Sequence, residues 1–245
     1  MAPMMLVLEA AAFWPVWLWW AGRIGADPDA AWSLVALITA VALAWRGPST
    51  QPHLPWTAAA MVALYGASFW FATPIFRAAV VVTAIGITLA RRPGVIGLCI
   101  VALPLTASLQ FVAGFPMRLA ASSIAARLLA LTGAAVQAEG TGLRWSGGIV
   151  EVDVPCSGIR MLWTGLYLAL TAACIFHTGW RKTAGIVAAA VTAVVLGNAL
   201  RTAALFYLEA GLLPVPVYAA HALHVGAGLA VFAGIAGTTL LCARS

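Results

Sequence analysis

The stretch TAGIVAAAVTAVVLGNALRTAA, residues 183–204, is apolar along nearly its whole length and carries one charged residue, Arg201. A helix needs about 20 mostly apolar residues to cross the hydrocarbon core of a bilayer, so this stretch predicts a transmembrane helix. The rest of the chain has the same character, since 63% of the 245 residues are hydrophobic and only 8% are charged. Soluble domains carry roughly 25% charged residues. The composition therefore predicts a polytopic membrane protein.

Similar apolar runs, separated by Gly, Pro and basic residues, predict about eight transmembrane helices. The fold class is all-α, and one membrane domain covers residues 1–245. We expect the first run to be a span and not a cleaved signal, because no basic segment precedes it and Glu9 lies within it. Some runs are short, so seven or nine spans also fit. The eight predicted spans are 5–22, 30–45, 56–72, 74–90, 94–113, 157–176, 183–204 and 218–241.

The longest stretch between predicted spans, residues 114–155, has two parts. Residues 117–136 place Arg118 and Arg127 against leucines and isoleucine, a pattern typical of a short amphipathic helix at a membrane surface. Residues 140–154 begin with glycines and continue with alternating apolar and acidic residues, which predicts a hairpin or an extended lid. Residues 156–232 then contain the helices that carry the candidate catalytic groups.

The orientation of the spans follows from the charges in the loops between them. The Arg–Arg and Arg–Lys pairs lie on one side, and six of the acidic residues lie on the other. Under the positive-inside rule we expect both termini in the cytoplasm. The acidic side, with residues 114–155, then faces out of the cell. The basic residues of the first side are Arg46, Arg91, Arg92, Arg181, Lys182 and Arg244; the acidic residues of the second are Asp27, Asp29, Glu139, Glu151, Asp153 and Glu209.

Three reactive residues reach the outer side from three different spans. Cys156 begins the sixth span, Arg201 lies near the outer end of the seventh, and His224 lies about two turns into the eighth. The other three cysteines fall in mid-span or near the cytoplasmic ends, so none is placed to pair with Cys156. A helix N-terminus favours the thiolate form of a cysteine, which is the nucleophile.

A thiol, a fixed cation and an imidazole at one depth predict cysteine catalysis. Cys156 would attack a carbonyl carbon, His224 would move protons, and Arg201 would stabilise the oxyanion. The alternatives are a buried core cysteine, an arginine that extends to the interface and a hydrogen-bonded core histidine. His221 and His224 have a spacing that a metal could use, but only Cys156 is placed to join them, so we expect no metal and no cofactor.

Five further residues are candidates for substrate binding. Arg160 and Asn198 lie close in sequence to Cys156 and Arg201, and His221 lies one turn before His224. Arg118 and Arg127, in the outer segment, could contact an acidic residue of a substrate. Ordinary anchoring at the membrane interface is the alternative for these two arginines.

The motifs around these residues resemble the exosortase/archaeosortase family of multi-pass membrane transpeptidases. The resemblance covers residues from about Arg127 to Phe232: Arg127-Leu128-Leu129 before Gly133, then Cys156-Ser157-Gly158-Ile159-Arg160, then Gly197-Asn198-Ala199-Leu200-Arg201, then His224 with Gly228 and Phe232. It implies that Cys156, Arg201 and His224 are catalytic. Val225 stands where many relatives have an acidic residue, and Pro155 stands where a small residue is common.

The same resemblance implies a substrate and a place of action. The substrates would be membrane-anchored exported proteins with a C-terminal sorting signal, made of a short Pro-Glu-Pro-like motif, one transmembrane helix and a basic tail. The reaction would proceed through a thioester at the outer face of the cell (inner) membrane. Water or a component of the envelope or of a surface polysaccharide would be the acceptor.

Two other classes of function fit the same composition. Arg160, Arg201 and the histidines could line a polar pathway in a transporter or a polysaccharide-export component. The chain could also be a scaffold for envelope assembly that keeps unused reactive residues. Nucleic acid is not expected as a partner, because the 13 basic residues are scattered singly or in pairs and form no patch, despite the net charge of +6.

Overall fold

The structure is a computed structural model that describes residues 2–26, 31–47, 55–152 and 157–245. These parts of the chain form mainly helices, with a three-stranded antiparallel sheet between α7 and α8. The elements are α1 (Ala2–Ala12), α2 (Trp14–Ala26), α3 (Trp32–Arg46), α4 (Pro55–Ser68), α5 (Pro74–Ala90), α6 (Pro93–Val101), α7 (Thr106–Leu131), β1 (Gln137–Glu139), β2 (Gly142–Trp145), β3 (Gly148–Glu151), α8 (Ile159–Ile175), α9 (Trp180–Glu209) and α10 (Val217–Arg244).

Within the described parts, two helical segments are long and apolar enough to cross a membrane unaided, Trp180–Glu209 and Ala219–Arg244. A third span results if α6 and α7 are counted together as one bent span. Four shorter apolar helices accompany them, Trp32–Arg46, Ala59–Ser68, Pro74–Ala90 and Ile159–Ile175. The chain is therefore a largely helical membrane protein, and the number of eight spans stays a prediction.

Prolines divide two of the predicted spans. The span predicted at 5–22 is broken at Phe13 into α1 and α2, and the span predicted at 94–113 is broken between Val101 and Thr106. A proline has no N–H to donate, and its ring clashes with the carbonyl four residues earlier. Pro15 stands two residues after the first break, and Pro104 lies within the second. Neither predicted span is one uninterrupted helix, and their crossing of the membrane stays a prediction.

The helix predicted at 117–136 is not a separate element. Its first part belongs to α7, which begins at Thr106 and continues through Pro116 to Leu131. A proline inside a helix removes one backbone hydrogen bond, and helices in membrane proteins tolerate that loss when neighbouring groups compensate. The boundary predicted near residue 114 therefore lies within a continuous helix.

The first compact unit comprises residues 1–106, 167–187 and 243–245, and α5 is its central helix. Helix α5 packs against α1, α2, α3, α4 and α6. Gly86 permits the close approach to α6, because a Cβ there would lie 3.0 Å from the Cα of Ile96. The buried hydroxyl of Thr88 donates a hydrogen bond to Glu9 Oε1 at 2.8 Å, which joins α5 to α1 and satisfies part of a buried carboxyl group.

The second unit comprises residues 107–166 and 188–242, and the small sheet packs within it. Strand β2 pairs with both β1 and β3, so the predicted hairpin is present with one additional strand. Leu143 of β2 and Phe206 of α9 belong to a hydrophobic core that also contains Leu129 of α7. Ser122 of α7 donates a hydrogen bond to the carbonyl of Gly140 at 2.8 Å, which fixes the β1–β2 turn on that helix.

Helices α9 and α10 approach closely where Gly197 faces Val231. A Cβ on Gly197 would lie 2.6 Å from Cγ1 of Val231, so a larger residue would force the helices apart. Helices in a membrane associate mainly through such close packing of small residues. Gly197 therefore sets the spacing of the two helices that carry Arg201 and His224.

The turn that begins α8 packs against α9 through Gly158. The φ of Gly158, +80°, lies in the left-handed region, which favours glycine. A Cβ there would lie 2.9 Å from Cγ of Asn198, a side chain that is 2% exposed. Conformation and close packing together explain why glycine follows Ser157.

Replacing this glycine tests the contact. We expect Gly158→Ala to destabilise the protein more than Gly133→Ala, whose φ of +85° is similar but whose Cβ would meet nothing within 4 Å. The left-handed conformation costs about 1–2 kcal/mol in both variants, and only Gly158→Ala adds a steric clash. The free energy of unfolding in detergent, compared with that of the parent protein, measures the loss of stability in both variants. Equal losses of stability would contradict the packing of Gly158 on Asn198.

Candidate active site

A cavity of about 60 Å³ lies in the second unit and is bounded by the sheet, α9 and α10. Its polar lining contains a guanidinium, an imidazole and two carboxylates, which is the kind of surface that binds and activates polar ligands. We call it the candidate cavity. The cavity is lined by Leu143, Val150 and Glu151 of the sheet, by Val152 directly after β3, by Arg201, Thr202, Leu205, Phe206 and Glu209 of α9, and by His224 of α10.

Helical spacing explains the contribution of α9. The five lining residues recur after three or four positions, so they form one face of the helix. Phe206 is 2% exposed and fixes this face against the core. Its ring meets the Trp145 ring edge to face at 6.2 Å between centroids. The polar groups of α9 are therefore carried by a firmly packed helix.

Arg201 contributes the guanidinium of this polar surface. Its Nε is buried and makes no hydrogen bond with the described part of the chain. A Cβ on Gly228 of α10 would lie 3.9 Å from that nitrogen, so the glycine leaves open space beside the guanidinium. A planar cation with donors facing a cavity can bind a carbonyl oxygen or stabilise an oxyanion.

His224 enters the same cavity from α10 and contacts a carboxylate of α9. Its Nε2 lies 2.6 Å from Glu209 Oε1. The side chains are 30% and 48% exposed, so the pair stands at the open side of the cavity. The structure thus brings Arg201 and His224, two residues singled out in the sequence, to one cavity.

Sequence reasoning missed the contact of Glu209 with His224. The seventh span was predicted to end at 204, which left Glu209 in a loop, whereas α9 continues to that residue. A signal was available in Gly211, which takes a φ of +69° just beyond the helix. The N–H of Leu212 donates to the carbonyl of Tyr207 at 3.0 Å, the bond that typically closes a helix ended by a left-handed glycine.

Cys156 lies outside the described residues, which resume at Ser157. The residues on either side are placed in the second unit. Val152 lines the candidate cavity, and Ser157 donates a hydrogen bond from its hydroxyl to Gln110 Oε1 at 3.0 Å. The role of Cys156 stays a prediction.

The five candidate substrate-binding residues do not line the candidate cavity. Asn198 is buried against Gly158, and Arg118 is half-buried on α7. Arg127, Arg160 and His221 are exposed. Asn198 contacts Gly158, in the turn that follows Cys156.

An ion pair outside the cavity joins β1 to the central strand β2. Arg144 of β2 donates hydrogen bonds from Nε and Nη2 to the Glu139 carboxylate of β1, the latter at 2.8 Å. These bonds and the positive charge hold the pKa of the Glu139 carboxyl below its usual value. The pair fixes the pairing of β1 with β2, while Glu151 of β3 lines the cavity.

Within the described residues, no three His, Cys, Asp or Glu side chains are grouped to hold a metal ion. The groups at the candidate cavity can transfer protons through an imidazole held against a carboxylate, next to an arginine whose Nε has no hydrogen-bond partner among the described residues.

Comparison with protein families gives a match along nearly the whole chain. Residues 3–241 match the family described as Transmembrane exosortase (Exosortase_EpsH). No curated protein and no solved structure gives a significant match. Because the family match extends from α1 to α10 and includes every lining residue of the candidate cavity, the chain belongs to the transmembrane exosortase family.

Proposed function

We propose that the protein is a membrane-embedded cysteine peptidase or transpeptidase that cleaves C-terminal sorting signals of exported proteins. The observation that carries the proposal is the meeting of Arg201 and His224, from two helices, at one cavity. Family membership supports an exosortase-type function in the membrane. Cys156 is one peptide bond from Ser157, whose neighbour Gly158 packs on Asn198, three residues before Arg201.

The first half of the reaction forms a thioester. His224 takes the proton of the Cys156 thiol, the sulfur attacks the carbonyl carbon of the scissile peptide, and the electron pair of the C=O bond moves to oxygen. Arg201 donates hydrogen bonds to this oxyanion. When the C–N bond breaks, His224 gives a proton to the leaving amine, which departs with the hydrophobic helix of the signal.

The second half transfers the acyl group. Water, or an amine or hydroxyl group of an envelope or polysaccharide acceptor, attacks the thioester carbon and gives a proton to His224. The C–S bond breaks and His224 returns this proton to the sulfur, which restores the thiol and the neutral imidazole. A substrate anchored by its own helix meets the enzyme in the plane of the membrane, which raises its effective concentration without extensive contacts.

Replacing the nucleophile tests the proposal. We expect Cys156→Ala to abolish processing of a reporter that carries a Pro-Glu-Pro motif, one transmembrane helix and a basic tail, because no other group supplies the thioester. Cys242→Ala, near the other end of the last helix, should process normally. Gel mobility of the coexpressed reporter measures both. Undiminished processing by Cys156→Ala would refute the peptidase and favour the transporter.

Replacing the cation tests oxyanion stabilisation. We expect Arg201→Gln to lower kcat by about 10²–10³-fold, the usual effect of losing one oxyanion donor. Arg201→Lys should recover only part of the rate, since an ammonium lacks the planar fork. Arg181→Lys, in the exposed first turn of α9, is the control. Cleavage rates of the same reporter measure the set, and a full rate in Arg201→Gln would exclude the role.

We also propose that both termini lie in the cytoplasm and that the cavity faces outward. In a background of Cys156→Ser and Cys242→Ala, we expect a membrane-impermeant thiol reagent to label Ser146→Cys in intact cells, because the β2–β3 turn is exposed. Lys182→Cys, on the predicted cytoplasmic side, should be labelled only after permeabilisation. The reverse pattern would invert the orientation.

A further inference from the structure

Glu209 and His224 form a contact between two helices that the proposed reaction does not yet use. Oε1 of Glu209 lies 2.6 Å from Nε2 of His224, and the residues are separated by the turn from α9 to α10. Both side chains line the candidate cavity. The contact therefore stands at the place where the proposed mechanism needs an oriented base.

The chemistry of the two groups decides which nitrogen carries the hydrogen. An ionised carboxylate only accepts hydrogen bonds, so the Nε2 that faces it must be the N–H donor. In a neutral imidazole the lone pair is then on Nδ1. The carboxylate thus selects one tautomer, and it also stabilises the imidazolium that forms when Nδ1 takes a proton.

The backbone holds the two residues in this arrangement. Phe206, three residues before Glu209, is buried in the core, and Gly211 ends α9 two residues after Glu209. Tyr207 accepts hydrogen bonds from Leu212 and Leu213 at 3.0 and 3.1 Å, which fixes the start of the turn. The carboxylate therefore projects from a rigid helix end and not from a mobile loop.

The exposure of the two side chains favours a role of the contact in positioning the imidazole and not in stabilising the fold. The side chains are 48% and 30% exposed, and an ion pair with that access to solvent contributes little to folding. Among the described residues, the other charged groups at the cavity are Arg201 on α9 and Glu151 on β3, and neither hydrogen-bonds to the imidazole. His221, one turn earlier on α10, is exposed and does not line the cavity.

We propose that Glu209 is the positioning residue for His224: it holds the imidazole as the Nε2–H tautomer and leaves Nδ1 to exchange protons with the reacting groups. The proposal rests on the proposed function only for the identity of the reaction. The tautomer itself is a property of the resting protein.

Nuclear magnetic resonance of the full chain, labelled with ¹⁵N in its histidine rings and held in lipid nanodiscs, tests the tautomer. His224→Asn assigns the signal. We expect a dominant Nε2–H tautomer in the parent protein and a mixture of tautomers in Glu209→Ala. Glu209→Gln should keep the parent tautomer, since its amide oxygen still accepts from Nε2. Glu139→Ala, a glutamate of the same unit outside the cavity, should have no effect.

Cleavage of the Pro-Glu-Pro reporter in the same nanodiscs gives the second readout. We expect Glu209→Ala to lower kcat by about 10²-fold, within the range that a positioned acid–base group contributes, with KM unchanged. An unaltered His224 tautomer in Glu209→Ala would overturn the proposal whatever the activity. If Glu209→Ala alters the tautomer but keeps the kcat of the parent protein, the proposed role of Glu209 in catalysis is overturned. If the parent and Cys156→Ala cleave alike, the proposed function fails while the tautomer result still decides the role of Glu209.

Discussion

The close approach of α9 to α10 is the constraint on which the candidate site depends. Gly197 has room only for hydrogen, since a Cβ would lie 2.6 Å from Val231 Cγ1. One turn further along α9, the Nε of Arg201 lies beside Gly228 of α10. Lipid tails are as apolar as leucine, so helices in a bilayer gain little by burying apolar surface and associate through tight packing. Gly197 lets the two helices approach, and Gly228 leaves space beside the guanidinium, so that Arg201 and His224 both line the candidate cavity.

The cost of polar groups in an apolar protein explains why the cavity gathers them. A buried donor without a partner costs about 1–3 kcal/mol, and a cation facing lipid costs more. The Nε of Arg201 has no hydrogen bond to the described residues, yet its side chain borders a cavity that also holds Glu151 and Glu209. An arginine whose Nε has no partner among the described residues, and which lies beside open space, can donate to a ligand oxygen. Preorganised donors of this kind need no rearrangement when charge develops on a substrate.

Hydropathy predicted the helices well and their ends poorly. Helix α5 begins and ends at the predicted residues 74 and 90, because Pro74 starts it and Arg91, with a φ of +43°, ends it. Helix α9 exceeds its predicted end by five residues, because hydropathy measures the apolar layer while a helix continues until its backbone is terminated, here by Gly211. The break next to Pro15 and the break that contains Pro104 follow from a known property of proline and could have been predicted. The contact between Glu209 and His224 depends on how two helices pack, which no local pattern encodes.

Val225, which stands where many relatives have an acidic residue, illustrates the difference between a neighbour in sequence and a neighbour in space. Adjacent residues on a helix point about 100° apart, so residue 225 does not share the face of His224. Val225 is in fact 48% exposed, while His224 borders the cavity. An acid at position 225 would therefore project away from the imidazole unless α10 were distorted. Glu209 has no such difficulty, because it approaches the ring from a facing helix and reaches Nε2 at 2.6 Å. The fold can thus supply an orienting carboxylate where the neighbouring sequence position does not.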